Sequence, residues 1–146
     1  MSAVADGSAR FVVSVAVCVF RGGRLLAMRR APHREAAPGA WGVVSGRVEA
    51  GEEPLAAAVR ETREEAGLFA AVDPRPVAAY RTERRGREMI VVVYRADVPA
   101  GEVVRSDEHD DHAWMTLEEF RRACRFQPLL EAATRAAAAG EGGSHE

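Results

Sequence analysis

An α/β fold built on a mixed sheet is the expectation from three features of the chain. Two runs, FVVSVAVCVF at 11–20 and MIVVVYRADV from Met89, are apolar and rich in β-branched residues, the signature of buried strands. Between them, Pro54 opens a run of good helix formers that stops at Gly67. A second helix, rich in alanine, is expected from Pro128. Strand and helix signals are thus mixed along the chain and do not alternate strictly.

Taken in order, the first strand is followed by Arg21, Gly22 and Gly23, a hairpin turn into a second strand, RLLAMRR at 24–30. A loop rich in Pro and Ala covers 31–40, and a short strand is expected around Trp41 to Val44. Gly46 to Glu53 lacks apolar periodicity and reads as a loop. Pro54 suits a first helical position, where its missing N–H is no loss, and Gly67 suits the left-handed residue after a helix. Pro74 and Pro76 mark a connection, after which VAAYRTER pairs with the run from Met89 through an Arg85-Gly86 turn. SDEHDDHAWM reads as an acidic loop. Thr116 and Glu119 have capping-box spacing for a helix near Leu117. Residues 1–140 are expected to form a single domain, with 141–146 a disordered tail.

The densest chemical signal lies in GRVEAGEEPLAAAVRETREEAGL, residues 46–68. On a helix, Glu61, Glu64 and Glu65 fall within roughly a 100° arc, and Leu55, Ala58, Val59, Thr62 and Ala66 occupy another, centred roughly 130° away. The second arc is expected to face a core and the first to face chemistry. A solvated acidic face is the competing reading. Arg60 can pair with Glu64, but Glu61 and Glu65, four apart, repel. A divalent ion would remove that cost, and hard carboxylate ligands favour Mg²⁺ or Mn²⁺, which take further ligands from substrate phosphates.

The window resembles the signature of the Nudix hydrolases at Gly46, Glu52, Arg60, Glu61, Glu64, Glu65, Gly67 and Leu68. Thr62 departs from it, standing where the pattern has an aliphatic residue, and Val44 and Ser45 stand where many members carry Pro and Gly. The resemblance implies an α/β/α sandwich, a mixed sheet flanked by helices with the box as loop, helix and loop at one end. It also implies Mg²⁺-dependent hydrolysis of a nucleoside diphosphate linked to another group. Glu61, Glu64 and Glu65 would be metal carboxylates, with the Gly46 carbonyl, and Glu52 an outer carboxylate or a ligand to an additional metal. Arg60 would hold Glu61 or a neighbour by bidentate hydrogen bonding, a geometry Lys cannot copy. Glu61 is the first choice of general base and Glu108 the second.

Composition narrows the partners. The chain has 146 residues, 47% of them hydrophobic, with 20 basic and 22 acidic residues spread along it. A net charge of −2 gives no footprint for long nucleic acids, and a small nucleotide is the expected partner. The run at 11–20 is too short to span a bilayer and lacks a cleavage site, so a cytoplasmic protein with no membrane partner is expected. Cys18 and Cys124 read as reduced packing residues. Relatives of this kind are often homodimers. Trp41, Tyr80, Tyr94 and Trp114 are candidates to stack a base or to fill the core, and Arg29, Arg30 and Arg34 to reach phosphates or to lie on the surface. His109 and His112, three apart, are weak metal candidates. The expected substrate is a nucleoside triphosphate, modified or not. ADP-ribose or a nucleotide sugar is the alternative, and a non-catalytic nucleotide-binding module the alternative of another class.

Overall fold

The computed structural model of the protein describes residues 10–32 and 39–143. Its elements are β1 (Phe11–Arg21), β2 (Arg24–Arg30), β3 (Trp41–Gly42), β4 (Val44–Arg47), α1 (Pro54–Ala66), β5 (Ala71–Val72), β6 (Ala78–Arg84), β7 (Arg87–Asp97), β8 (His109–Met115), α2 (Leu117–Ala123) and α3 (Gln127–Gly143).

The strand β1 organises the sheet. Along one side it runs parallel to β7, from Phe11 opposite Glu88 to Phe20 opposite Asp97. Along the other it pairs antiparallel first with β4, Ser14 to Val17 against Arg47 to Val44, and then with β2 at Phe20 and Arg21. The sheet therefore forks: β2 leaves β1 and carries β3 and β8 with it, while β4 fills the place beside β1. On the far side β6 and β5 pair with β7.

Both faces are covered, which explains the unbroken apolar run of β1. Val15, Val17 and Val19 join Val44, Ala57, Ala58 and Ala66 under α1. Ala16, Cys18 and Phe20 join Phe120, Leu129, Ala132 and Ala136 under α2 and α3. The result is the expected α/β/α sandwich. Both cysteines are free and buried in the second core, where burial pushes the Cys18 thiol up to about 12. Among the described residues, no helix is long and apolar enough to cross a membrane.

Four expectations need correction. Gly46 lies in strand β4, held there by pairing with Val15. His109 to Met115 is strand β8, paired with β2 in spite of its polar residues, because its backbone completes the edge that β2 presents after the fork. Val59, assigned to the core arc, is 41% exposed, and the buried stripe of α1 instead runs through Ala57, Ala58, Glu61, Thr62, Glu65 and Ala66. The helix α3 continues to Gly143, into the stretch expected to be a disordered tail, and residues 144–146 lie outside the described residues.

Candidate active site

The box helix begins and ends where its sequence dictates. Pro54 occupies the first turn, and Gly67, with φ of 70°, donates its N–H to the Arg63 carbonyl at 2.9 Å. Alanines at 57 and 58 let α1 lie close on the sheet, so the side chains at 61 and 65 enter the seam between helix and β4. There the Glu61 carboxylate rests directly against Gly46, and any β-carbon at 46 would occupy its space. Next to it the Ser45 N–H donates to Glu65 Oε1 at 3.2 Å. Thr62, the departure from the family pattern, is buried and donates its hydroxyl to the Ala58 carbonyl at 2.8 Å.

Arg60 ties the preceding loop to the helix. Its guanidinium donates to Glu52 through Nε at 2.8 Å and Nη2 at 3.0 Å, a two-point fork. Nη1 donates to Glu61 at 3.0 Å and to Glu64 at 3.2 Å, and Nη2 also reaches the Arg47 carbonyl at 3.0 Å. The bidentate partner is thus Glu52, and Glu61 is held by a single contact. Glu52 also accepts the Glu49 N–H at 3.0 Å, and these donors hold its carboxyl down at about 2.

The charges of the inner pair behave differently. Glu65 is 2% exposed, and burial, with Glu108 and Glu61 adding to it, pushes its carboxyl up to about 9. Burial likewise raises Glu61, against the pull of Arg60 and with the push of Glu64 and Glu108. The fold therefore brings Glu61, Glu65 and Glu108 within mutual electrostatic reach, while Glu64 stays at the exposed rim. The segment carrying Glu108 is fastened by its carbonyl to the Ala31 N–H at 2.9 Å and by Ser106 N–H to the Glu65 carbonyl at 3.3 Å. Among the described residues, no three donors already stand at the spacing of ligands around one ion. The donor set nevertheless suits a hard cation, since carboxyls forced together in a dry seam ionise once positive charge arrives.

These acids form one end of a cavity of about 950 Å³ lying at the fork, and Arg30 borders it. Trp41, Tyr80, Phe126 and Leu129 line its apolar part, with Tyr80 edge-on to Phe126 at 5.8 Å between centroids. Of the other candidates, Tyr94 is buried under α1, and Trp114 stacks beneath the Arg21 guanidinium at 4.2 Å, so neither faces the cavity. Arg29 is engaged by Asp110 at 2.8 and 3.2 Å, and Arg34 lies outside the described residues. His112 meets Arg105 at 2.7 Å. His109 is buried against the cavity. Sequence reasoning named Ser45 only as a departure from the family pattern and did not single out Phe126; the first acts through its backbone, and the second stands in an unpatterned link between α2 and α3.

Comparison with known proteins bears on this geometry. The chain is 36% identical over 132 residues to an octanoyltransferase of Myxococcus xanthus, a match covering 86% of this chain and 36% of that protein. The chain thus spans about a third of that relative's length. It is 34% identical over 127 residues to the CTP pyrophosphohydrolase of Escherichia coli (strain K12), covering 84% of this chain and 91% of the other. The fold matches a Caenorhabditis elegans Ap4A hydrolase binary complex with a TM-score of 0.81 at 22% identity, over 90% of this chain and 98% of that one. The family model described as the NUDIX domain matches residues 10–136, and with that match over the sheet, the box helix and the cavity, this chain belongs to the Nudix family of hydrolases.

Proposed function

We propose that the protein is a Mg²⁺-dependent pyrophosphohydrolase that cleaves a nucleoside diphosphate linked to another group, most readily a nucleoside triphosphate, to a nucleoside monophosphate and pyrophosphate. The observation that carries this reading is the pairing of a crowded acidic seam with an adjoining cavity of nucleotide size, about 950 Å³. Glu61, Glu64, Glu65 and the Gly46 carbonyl would hold the ion, with Glu52 behind them. When bound, Mg²⁺ neutralises the diphosphate, lowers the pKa of a water and stabilises the leaving group.

The chain's own groups do the rest. Arg60 fixes the spacing of the loop and helix carboxylates, because its two-point contact with Glu52 leaves Nη1 aimed at Glu61 and Glu64. Glu61, seated against Gly46 and held by Arg60 at 3.0 Å, accepts the proton of the attacking water. Glu108 is the second candidate for the base, since it faces the same acids from the other wall. Arg30, beside Glu65, offers a donor to the substrate's phosphates.

Similar proteins carry names that point to CTP and to Ap4A, ligands that share a phosphoanhydride and differ in what it joins. The test is incubation of the purified protein with nucleoside triphosphates, ADP-ribose, nucleotide sugars and dinucleoside polyphosphates in Mg²⁺ or Mn²⁺, with products identified by mass spectrometry. Release of a nucleoside monophosphate with pyrophosphate is the expected result. A nucleotide that raises the melting temperature without being cleaved would transfer the site to a binding role.

A further inference from the structure

On the face of the sheet beneath α2 and α3, the cavity floor ends in a pair of arginines. Arg84 closes β6, Arg87 opens β7, and the two are register partners across the Arg85-Gly86 turn. Strand alternation puts them on the same face as Tyr80, Met89 and Val91, and all five line the cavity. Like charges directly opposite one another destabilise a hairpin. Arg29, Arg60, Arg81 and Arg95 are each paired with a carboxylate, Asp110, Glu52, Glu88 and Asp97 respectively. Among the described residues Arg84 and Arg87 have no such partner, although Arg81 on the same hairpin does.

The register also sets their distance from the acids. Gly46 is level with Val15 and Val15 with Val92. Arg87 therefore lies two strands over from Gly46 and five residues down β7 from Val92, roughly 10 Å across and 17 Å along. Between the two ends lies the apolar floor and its Tyr80 and Phe126 wall. A nucleotide with its phosphates at the acids and its base on that floor points the far edge of the base at the arginines. Guanidinium groups only donate, and their fork matches two neighbouring acceptors. The carbonyl and ring nitrogen of a 6-oxopurine offer them, whereas adenine presents an amino donor at that place.

We propose that Arg84 and Arg87 are specificity-determining residues that read the base edge and select 6-oxopurine nucleotides over adenine nucleotides, an inference that rests on the phosphate end lying at Glu61 and Glu65. The experiment compares kcat/KM for ITP and ATP, which differ at position 6 of the purine, in the wild type and in the double variant Arg84→Gln, Arg87→Gln. The wild type should favour ITP by about tenfold or more, within the range that one good bidentate base contact supplies. The double variant should bring that ratio close to one, a change that a merely structural role of the hairpin, lowering both rates together, does not produce. Equal rates on ITP and ATP in the wild type, or a ratio unmoved in the variant, would overturn the base-edge reading and leave the hydrolase reading standing. Cleavage of another diphosphate with neither purine triphosphate turned over would do the same. If no phosphoanhydride is cleaved at all, both readings fall.

Discussion

The two faces of the sheet draw on alternate residues of the same strand, yet they are closed in opposite ways. Under α2 and α3, Phe120, Leu129 and a ladder of alanines meet Ala16, Cys18 and Phe20, a core of apolar contacts. Under α1, the helix spends two of its buried positions on Glu61 and Glu65. Burying a carboxyl is costly unless it is protonated, hydrogen-bonded or paired. The first face is therefore the one that stabilises the chain, and the second gives up stability to keep two carboxyls in the seam, where under the proposed function a cation and phosphates would use them.

The largest test of this contrast is pH. Glu65 has a folded value of about 9 against an ordinary 4.5, so the unfolded chain ionises first as pH rises. The stability linked to Glu65 is full below 4.5 and is lost progressively up to about 9. Melting temperatures of the protein in a chelator should thus fall across that window, and Glu65→Gln should flatten the slope. A profile that rises from pH 5 to 8 and is unaffected by the variant would break the contrast. Below pH 4.5 the lowered carboxyl of Glu52 acts in the other direction, its contribution disappearing as pH falls toward 2.

On the opposite face, Phe120→Ala removes the largest fully buried side chain and should cost about 3–5 kcal/mol in denaturant unfolding. At a temperature where the variant remains folded, its turnover should stay near that of the wild type; a matching collapse of kcat would mean the faces are not separable. Glu64→Gln makes the complementary change. Its side chain is 58% exposed, so the melting temperature should hardly move while turnover falls on the order of 10²–10³-fold, the scale seen when a charge-stabilising group is removed. Near-native activity at saturating Mg²⁺ would remove Glu64 from the ion site. The smallest effect is expected for Thr62→Val, where a buried hydroxyl bonded within the helix gives way to a methyl of the same shape, a change of about 1 kcal/mol or less.

Local signals in the chain were read well, and pairings between distant segments were not. Pro54 and Gly67 mark the box helix because each satisfies a rule of helix ends within a few residues. The Arg85-Gly86 turn, with φ of 55° and 80°, is equally local, and so is the capping box of Thr116 and Glu119. By contrast, β8 carries two aspartates and two histidines and owes its extended form to β2, far earlier in the chain. The apolar runs of β1 and β7 mark them as buried strands, but that each is the other's parallel partner, and in which register, is written on neither alone. For the site, the identities of the acids and their sharing of one helix were legible. That Glu61 and Glu65 would be buried, and Val59 exposed, was not, because a helical wheel ranks residues by polarity and cannot know that Gly46 opens room for a carboxylate.

That close seat of Glu61 on Gly46 also bears on how such a chain can change over generations. Glu64 projects from the rim and touches no core, so a lineage can discard it in one step and keep its shape. Glu61 and Gly46 are bound to each other by fit, since any side chain at 46 would displace the Glu61 carboxylate, and Glu65 beside them is held by the Ser45 N–H. Loss of catalysis is then easiest from the outside inward, and a descendant that merely holds nucleotides would still carry the inner acids as a record of its ancestry.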